Sequence, residues 1–134
     1  MARRPALEVD GVTYRNVQEV SYETNCASDE TGRPSDCARG GLIRVMRESD
    51  DNTELANWAF NSDKEHLRGG KVHFKNSDDS EMKVLEWKDG FVTHYEEHVP
   101  HIKHNADDQS YEYMEISCKS MAIGSVEIDN RWEE

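Results

Sequence analysis

From Tyr111 to Ile123 the chain alternates, with Met114, Ile116, Cys118 and Ala122 on one face of an extended segment. Period-two alternation belongs to a strand with one face in a core. A chain that carries so long a strand has to build a sheet around it. Shorter segments obey the same rule. Leu7–Val9 and Val12–Tyr14 flank Asp10-Gly11, a strong hairpin signal. Val17–Tyr22, Leu42–Glu48, Lys71–Lys75 and Met82–Lys88 read as further strands. A second pair, Asp89-Gly90, predicts another tight hairpin, with Phe91–Val99 returning as far as Pro100. Gly124 breaks the long strand, and Val126–Trp132 reads as a last short strand or arm.

One helix interrupts this series. Asp51 with Glu54 three residues on predicts a capping-box start. Leu55, Trp58 and Ala59 then form one apolar stripe that fades near Asn61. So short a helix is unstable alone, so Leu55 and Trp58 are expected to anchor it to the sheet. Only 35% of the 134 residues are apolar, which suits a thin core in which one residue in two faces inward. The expected fold is mainly β: a small antiparallel β-barrel or two-sheet sandwich with one short α-helix. It forms one domain over 1–134, with an extended loop at 25–41 and a C-terminal arm at 125–134.

The charge balance excludes partners. Sixteen basic residues stand against 28 acidic ones, a net of −12, which argues against nucleic acid and against an anionic membrane surface. No apolar run of about 20 residues spans a bilayer. The segment Met1–Ala6 has positive charge but no apolar stretch behind it, so no signal peptide is expected. Cys26, Cys37 and Cys118 fit no zinc spacing. Cys26 and Cys37 lie within reach across the long loop, but reduced thiols are the expectation.

That loop, Asp29–Gly41, is polar and rich in Gly, Pro and Asp. A connection longer than about 12 residues in a compact domain is functional or disordered. Pro34 fixes its own φ and biases Arg33 toward extended backbone, while Gly32 and Gly40-Gly41 permit unusual angles. A stiffened loop projecting from a small domain is expected to touch a partner.

The sharpest catalytic pattern is His94-Tyr95-Glu96-Glu97-His98, which matches H-x-x-E-H. Zinc hydrolysis through His94, Glu97 and His98 requires a helix. On a strand the two histidines sit about 13 Å apart, too far for one metal. His94, His98, His101 and His104 read instead as a solvated strand end and loop. Cys118 reads as a buried thiol rather than a nucleophile. Glu96-Glu97 and Asp107-Asp108 point apart on extended chain. Gly40-Gly41 and Gly69-Gly70 lack the partners of a phosphate loop, and Trp58, Trp87 and Trp132 read as core or interface. No catalytic residue, metal or cofactor is expected. What remains is surface. Leu42 and Met46 oppose Ile43 and Val45 on one strand, so both faces are apolar in a chain too small for three layers. Another chain has to cover one of them.

The order of several landmarks resembles the tube protein family of type VI secretion, Hcp (TssD). They are Gly32-Arg33-Pro34-Ser35, Gly40-Gly41, Glu48-Ser49 with Asp51 and Thr53 before a Trp-containing helix, Gly70-x-Val72-x-Phe74, Met82-Lys83-x-Leu85-x-Trp87-x-Asp89-Gly90-Phe91, and Glu115-Ile116-Ser117-Cys118-Lys119. The resemblance covers Ala6 to Gly124. It implies a β-barrel subunit without enzymatic activity that closes into hexameric rings. Rings would stack into a tube inside a contractile sheath, with spike and baseplate partners and effectors carried in the lumen. It also implies export from a bacterial cytoplasm without a signal peptide. On that reading Asp29, Glu30, Thr31, Gly32, Arg33, Pro34, Ser35 and Asp36 form a ring-stacking loop. The His94–His104 stretch and the arm find no counterpart in it. The alternatives are the zinc hydrolase and a monomeric binding or adaptor module.

Overall fold

The structure is a computed structural model that describes residues 5–14, 16–26, 28–34, 39–100 and 110–130. Among the described residues eight strands form one antiparallel sheet: β1 (Ala6–Val9), β2 (Val12–Tyr14), β3 (Val17–Asn25), β4 (Arg39–Glu48), β5 (Arg68–Lys75), β6 (Glu81–His98), β7 (Tyr111–Ile123) and β8 (Val126–Asp129), with α1 (Glu54–Phe60) between β4 and β5. The spatial order is β2-β1-β5-β6-β7-β4-β3, and β8 also pairs with β7. The sheet curls until its two ends meet. Tyr22 of β3 lies 6.0 Å from Phe74 of β5, four strands away in the order. Tyr14 of β2 lies 5.7 Å from the Arg47 guanidinium of β4. Side chains thus close the barrel at these points.

The expected alternation of β7 holds from Glu112 through Met114, Ile116 and Cys118 to Ser120, buried in turn, and breaks there: Met121 is buried and Ala122, expected on the core face, is half-buried. From β4 come Ile43, Val45 and Arg47, and from β6 Leu85, Trp87 and Val92. The first Asp-Gly pair is a hairpin turn: Asp10 has φ 51° and Gly11 φ 81°, and Val9 pairs with Val12.

The second Asp-Gly pair is not a hairpin. β6 runs through it without reversing, 18 residues long. Asp89 takes φ 53°, but Gly90 pairs with Arg68 on one side and Cys118 on the other. The glycine serves Trp87. A Cβ on Gly90 would lie 2.6 Å from Trp87 Nε1, and one on Gly70 would lie 2.4 Å from both the indole and the Glu8 carbonyl. These two glycines make the slot in which the buried indole donates to the Arg68 carbonyl at 3.0 Å. Gly69 and Gly70 therefore belong to β5, as Gly40 and Gly41 belong to β4, and neither pair is loop.

The helix also begins differently. Its N-cap is Thr53, with no side-chain cap bond, and the Asp51–Glu54 box does not form. Instead the carboxylate of Asp50 accepts from Asn52 N, and the amide oxygen of Asn52 accepts from Glu54 N, each at 2.9 Å. Two successive side-chain turns lead the chain into the helix and leave Asp51 outside it. Leu55 and Trp58 are buried, as expected. The helix packs against β6 beyond Gly90, past the stretch that β5 pairs with. Ser62 Oγ accepts from Val92 N at 3.1 Å, and the Phe60 ring meets Tyr95 edge-on at 6.4 Å.

Candidate functional site

The long connection is shorter than its sequence suggests, because β3 reaches Asn25 and β4 starts at Arg39, paired to each other. Beyond that pair a bridge joins Ser28 to Pro34. Between them the chain closes a compact turn. Asp29 N donates to the Arg33 carbonyl at 2.8 Å, and Gly32 N donates to the Asp29 carbonyl at 3.0 Å. The Asp29 carboxylate then gathers three donors on Oδ1: Thr31 N at 2.9 Å, Thr31 Oγ1 at 2.7 Å and Arg33 N at 3.0 Å. Gly32 supplies the positive φ of 86° that the turn requires.

These bonds hold the carboxyl of Asp29 below its ordinary range, the Thr31 hydroxyl most of all and then the Arg33 amide. The tip is fully built yet wholly exposed: Asp29, Glu30, Thr31, Gly32, Arg33 and Pro34 all face solvent. Six of the eight residues expected in the loop are thus together. Ser35 and Asp36 lie outside the described residues. The sequence reading placed the stiffness in Pro34 and the glycines. Most of it comes from Asp29, legible as an acidic residue two before a threonine. At the root of this loop, Tyr22, Leu85, Met121, Ile123, Val126 and Ile128 line a small apolar cleft.

The other end of the barrel holds a group the sequence reading passed over. Arg47 and Glu112 are 2% and 3% exposed, cross-strand partners on β4 and β7, and joined by a hydrogen-bonded ion pair. Arg47 also reaches Asp50 at 2.6 Å. The second oxygen of Glu112 accepts the Tyr95 hydroxyl at 2.6 Å. Burial first, and then this bond to a carboxylate, push the Tyr95 phenol far above its ordinary pKa. The network ties β4, β6, β7 and the approach to α1 together. Arg47, Glu112 and Tyr95 bond to one another inside it, which suits a structural part better than a reactive one.

The histidine pattern does not assemble. His94 and His98 lie on β6, opposite Glu115 and Tyr111, with their rings against Tyr113 at 6.0 Å and Tyr111 at 5.1 Å. Glu97 pairs with Glu112, on the opposite face of the strand. Among the described residues no group of three possible metal ligands comes together. His101, His104, Asp107, Asp108 and Trp132 lie outside the described residues, as does Cys37. Cys118 is fully buried, and desolvation pushes its thiol up to about 11, which makes it a core residue. Among the described residues no helix is long and apolar enough to cross a membrane.

Several surfaces are left uncovered. β3 is an edge strand of nine residues, mostly exposed. Phe60 is 79% exposed, Val99 70% and Val126 66%. A groove on the outer sheet face is lined by Glu19, Ser21, Arg44, Met46 and Tyr113.

A search of curated proteins returns no match. Among solved structures, Hcp1 from Flavobacterium johnsoniae is similar at 32% identity, covering 95% of this chain and 99% of that one, with a TM-score of 0.81. Hcp1 from Salmonella typhimurium shares the fold at 13% identity and TM-score 0.67, over 98% of this chain and 97% of that one. A chain from the sheath-tube complex of an extracellular contractile injection system, PVC, shares it at 15% identity and TM-score 0.59, over 92% and 89%. The sequence model of the hemolysin coregulated protein Hcp (TssD) matches residues 1–133. With nearly the whole sequence matched and the same curled sheet throughout, the chain belongs to the Hcp (TssD) family.

Proposed function

We propose that this protein is a structural subunit of a type VI secretion tube, with no enzymatic role. Six copies close into a ring, and rings stack into the tube that a contracting sheath expels. Sheath, spike and baseplate are its partners, and effectors travel in its lumen. It is made in the bacterial cytoplasm and leaves through the apparatus. Membership of the Hcp family over nearly the whole chain is the observation that carries this reading.

The molecule offers what such assembly needs. The β3 edge has open backbone groups on one side. Apolar side chains such as Phe60 and Val126 stand in water. The turn at Asp29–Pro34 is formed before any partner arrives, and it is our candidate for the contact between rings.

Charge opposes the assembly. Six copies at −12 each carry about −72 in one ring. Salt screens that repulsion, so ring formation strengthens between low salt and about 0.2 M. Native mass and electron microscopy of the purified protein test both points. Six-fold rings that become more abundant with salt are expected. A monomer at every concentration and salt overturns the tube reading in favour of a binding module. Rings that weaken toward 0.2 M salt remove repulsion as the limiting term.

A further inference from the structure

We infer that Asp29 is the positioning residue of the ring-to-ring contact: its carboxylate fixes the shape of the turn while other residues of the turn touch the next copy. The inference rests on reading this loop as the stacking contact. It adds which residue makes the loop competent, and why.

The turn has little else to hold it. It is fully exposed, so no core packs against it. A short turn in water, closed by two main-chain bonds of which one belongs to the Ser28–Pro34 bridge, fluctuates unless side chains add to it. One atom supplies that addition. Oδ1 of Asp29 ties the peptide of Thr31, the hydroxyl of Thr31 and the peptide of Arg33 to a single point. Charge-assisted bonds are the stronger kind.

Because all three donors converge on Oδ1, Asp29 is committed within its own chain. Arg33 follows directly. Its amide is one of the three donors and its carbonyl accepts from Asp29 N, so the backbone of the one cation in Asp29–Pro34 is held from both sides. A residue whose backbone is already fixed loses less freedom when its side chain is bound, which strengthens association without adding a contact. In a ring the same saving is repeated at every subunit.

Other exposed carboxylates differ in this respect. Asp78 takes the amide and hydroxyl of Ser80, and Asp63 takes the amide of Glu65 and the His66 ring. Each takes two hydrogen bonds rather than three, and the Asp78 turn is already closed at its base by the Lys75–Glu81 pair of β5 and β6 and by the bond from Asn76 N to the Ser80 carbonyl, so it depends less on its carboxylate.

The test uses Asp29→Ala, Asp29→Asn, Thr31→Val and a deletion of residues 31–34, all in the full chain. Amide hydrogen exchange at Thr31 and Arg33 reports the turn in unstacked protein. Light scattering and electron microscopy report stacking, and the thermal midpoint reports the barrel.

Asp29→Ala is expected to lose amide protection and to raise the concentration needed for stacking by about tenfold or more, with the midpoint unchanged. Thr31→Val, which keeps the carboxylate and removes one donor, gives a smaller shift in the same direction. Asp29→Asn keeps an oxygen acceptor at Oδ1 and retains most of both properties. That rescue separates positioning from direct contact, because a carboxylate that touched the neighbour by charge would fail as Asn just as it fails as Ala. Stacking by Asp29→Ala at the parent's concentration overturns the inference, as does an Asn variant as defective as Ala. If the deletion itself stacks normally, the loop is not the contact, and the underlying reading falls together with the inference. If the deletion abolishes stacking while Asp29→Ala does not, only the role of Asp29 is lost.

Discussion

Two carboxylates at opposite ends of this barrel do similar chemistry in opposite surroundings. Glu112 collects the guanidinium of Arg47 and the hydroxyl of Tyr95 inside the protein. Asp29 collects three donors in open water. In the interior, water is not available to replace a lost partner, so each bond carries the desolvation cost of the groups that make it. At the tip, water replaces any partner at once, and the bonds decide shape rather than stability. The first site should therefore be read out by unfolding and the second by assembly.

The largest effect belongs to the interior. Arg47→Met leaves Glu112 buried without its cation, and leaves Asp50 without the partner that anchors the start of the helix. Breaking one side of a buried pair costs about 3–5 kcal/mol, measurable by urea unfolding. The double variant Arg47→Met/Glu112→Leu removes both buried charges and is expected to recover part of that loss, the Tyr95 hydroxyl and Asp50, now without partners, keeping the remainder. A single variant costing less than about 1 kcal/mol would mean that water reaches the pair, and the contrast between the two ends would collapse. The sequence did carry this pair. Arg47 falls in phase with Ile43 and Val45, and Glu112 with Met114, Ile116 and Cys118. Alternation therefore pointed both charges inward. What it could not supply is register. A buried charge is credible only once its partner is known, and that β4 meets β7 with Arg47 opposite Glu112 is a long-range fact.

A middle effect comes from Gly70, where the interior meets the backbone. Gly70→Ala sets a methyl group 2.4 Å from the Trp87 ring and 2.4 Å from the Glu8 carbonyl. The ring has little room and the carbonyl belongs to a paired strand. A loss of about 1–3 kcal/mol is expected in urea unfolding, with a changed fluorescence from the displaced indole. An unchanged midpoint would show that the slot relaxes freely. The same slot explains the clearest misreading. Asp10-Gly11 and Asp89-Gly90 are the same dipeptide, and only the first reverses the chain. At Asp10-Gly11 both residues take positive φ. At Asp89-Gly90 the glycine is needed because Trp87, three residues earlier, folds back over it. Local turn chemistry cannot tell these cases apart, since the second is set by tertiary packing. Strand existence, the long β7 and the anchoring of Trp58 were legible because period and apolar content decide them. The closure of the loop tip was legible only in part, because the fixed φ of proline is more visible in a sequence than an aspartate's choice of donors.

The smallest effect is at the tip and concerns acid. The carboxyl of Asp29 is held below its ordinary 3.8 by bonds that favour its charged form. A lowered carboxyl binds its proton less readily in the closed turn than in open chain. The ordering it provides is therefore complete above pH 3.8 and fades as pH falls through the lowered value. The fading is partial, because a protonated carboxyl keeps a carbonyl oxygen that still accepts. NMR should show the Thr31 and Arg33 amides shifting together with a midpoint below 3.8, while exchange at both becomes faster. In Asp29→Asn those two amides should not titrate in this range. A midpoint above 3.8 would reverse the sign and mean that the closed turn prefers the neutral acid, which three donors converging on one oxygen do not allow. Amides that titrate identically in Asp29→Asn would assign the change to another carboxylate. In that case the exposed carboxylate would no longer govern the shape of the loop, and the parallel with Glu112 would fail at its weaker end.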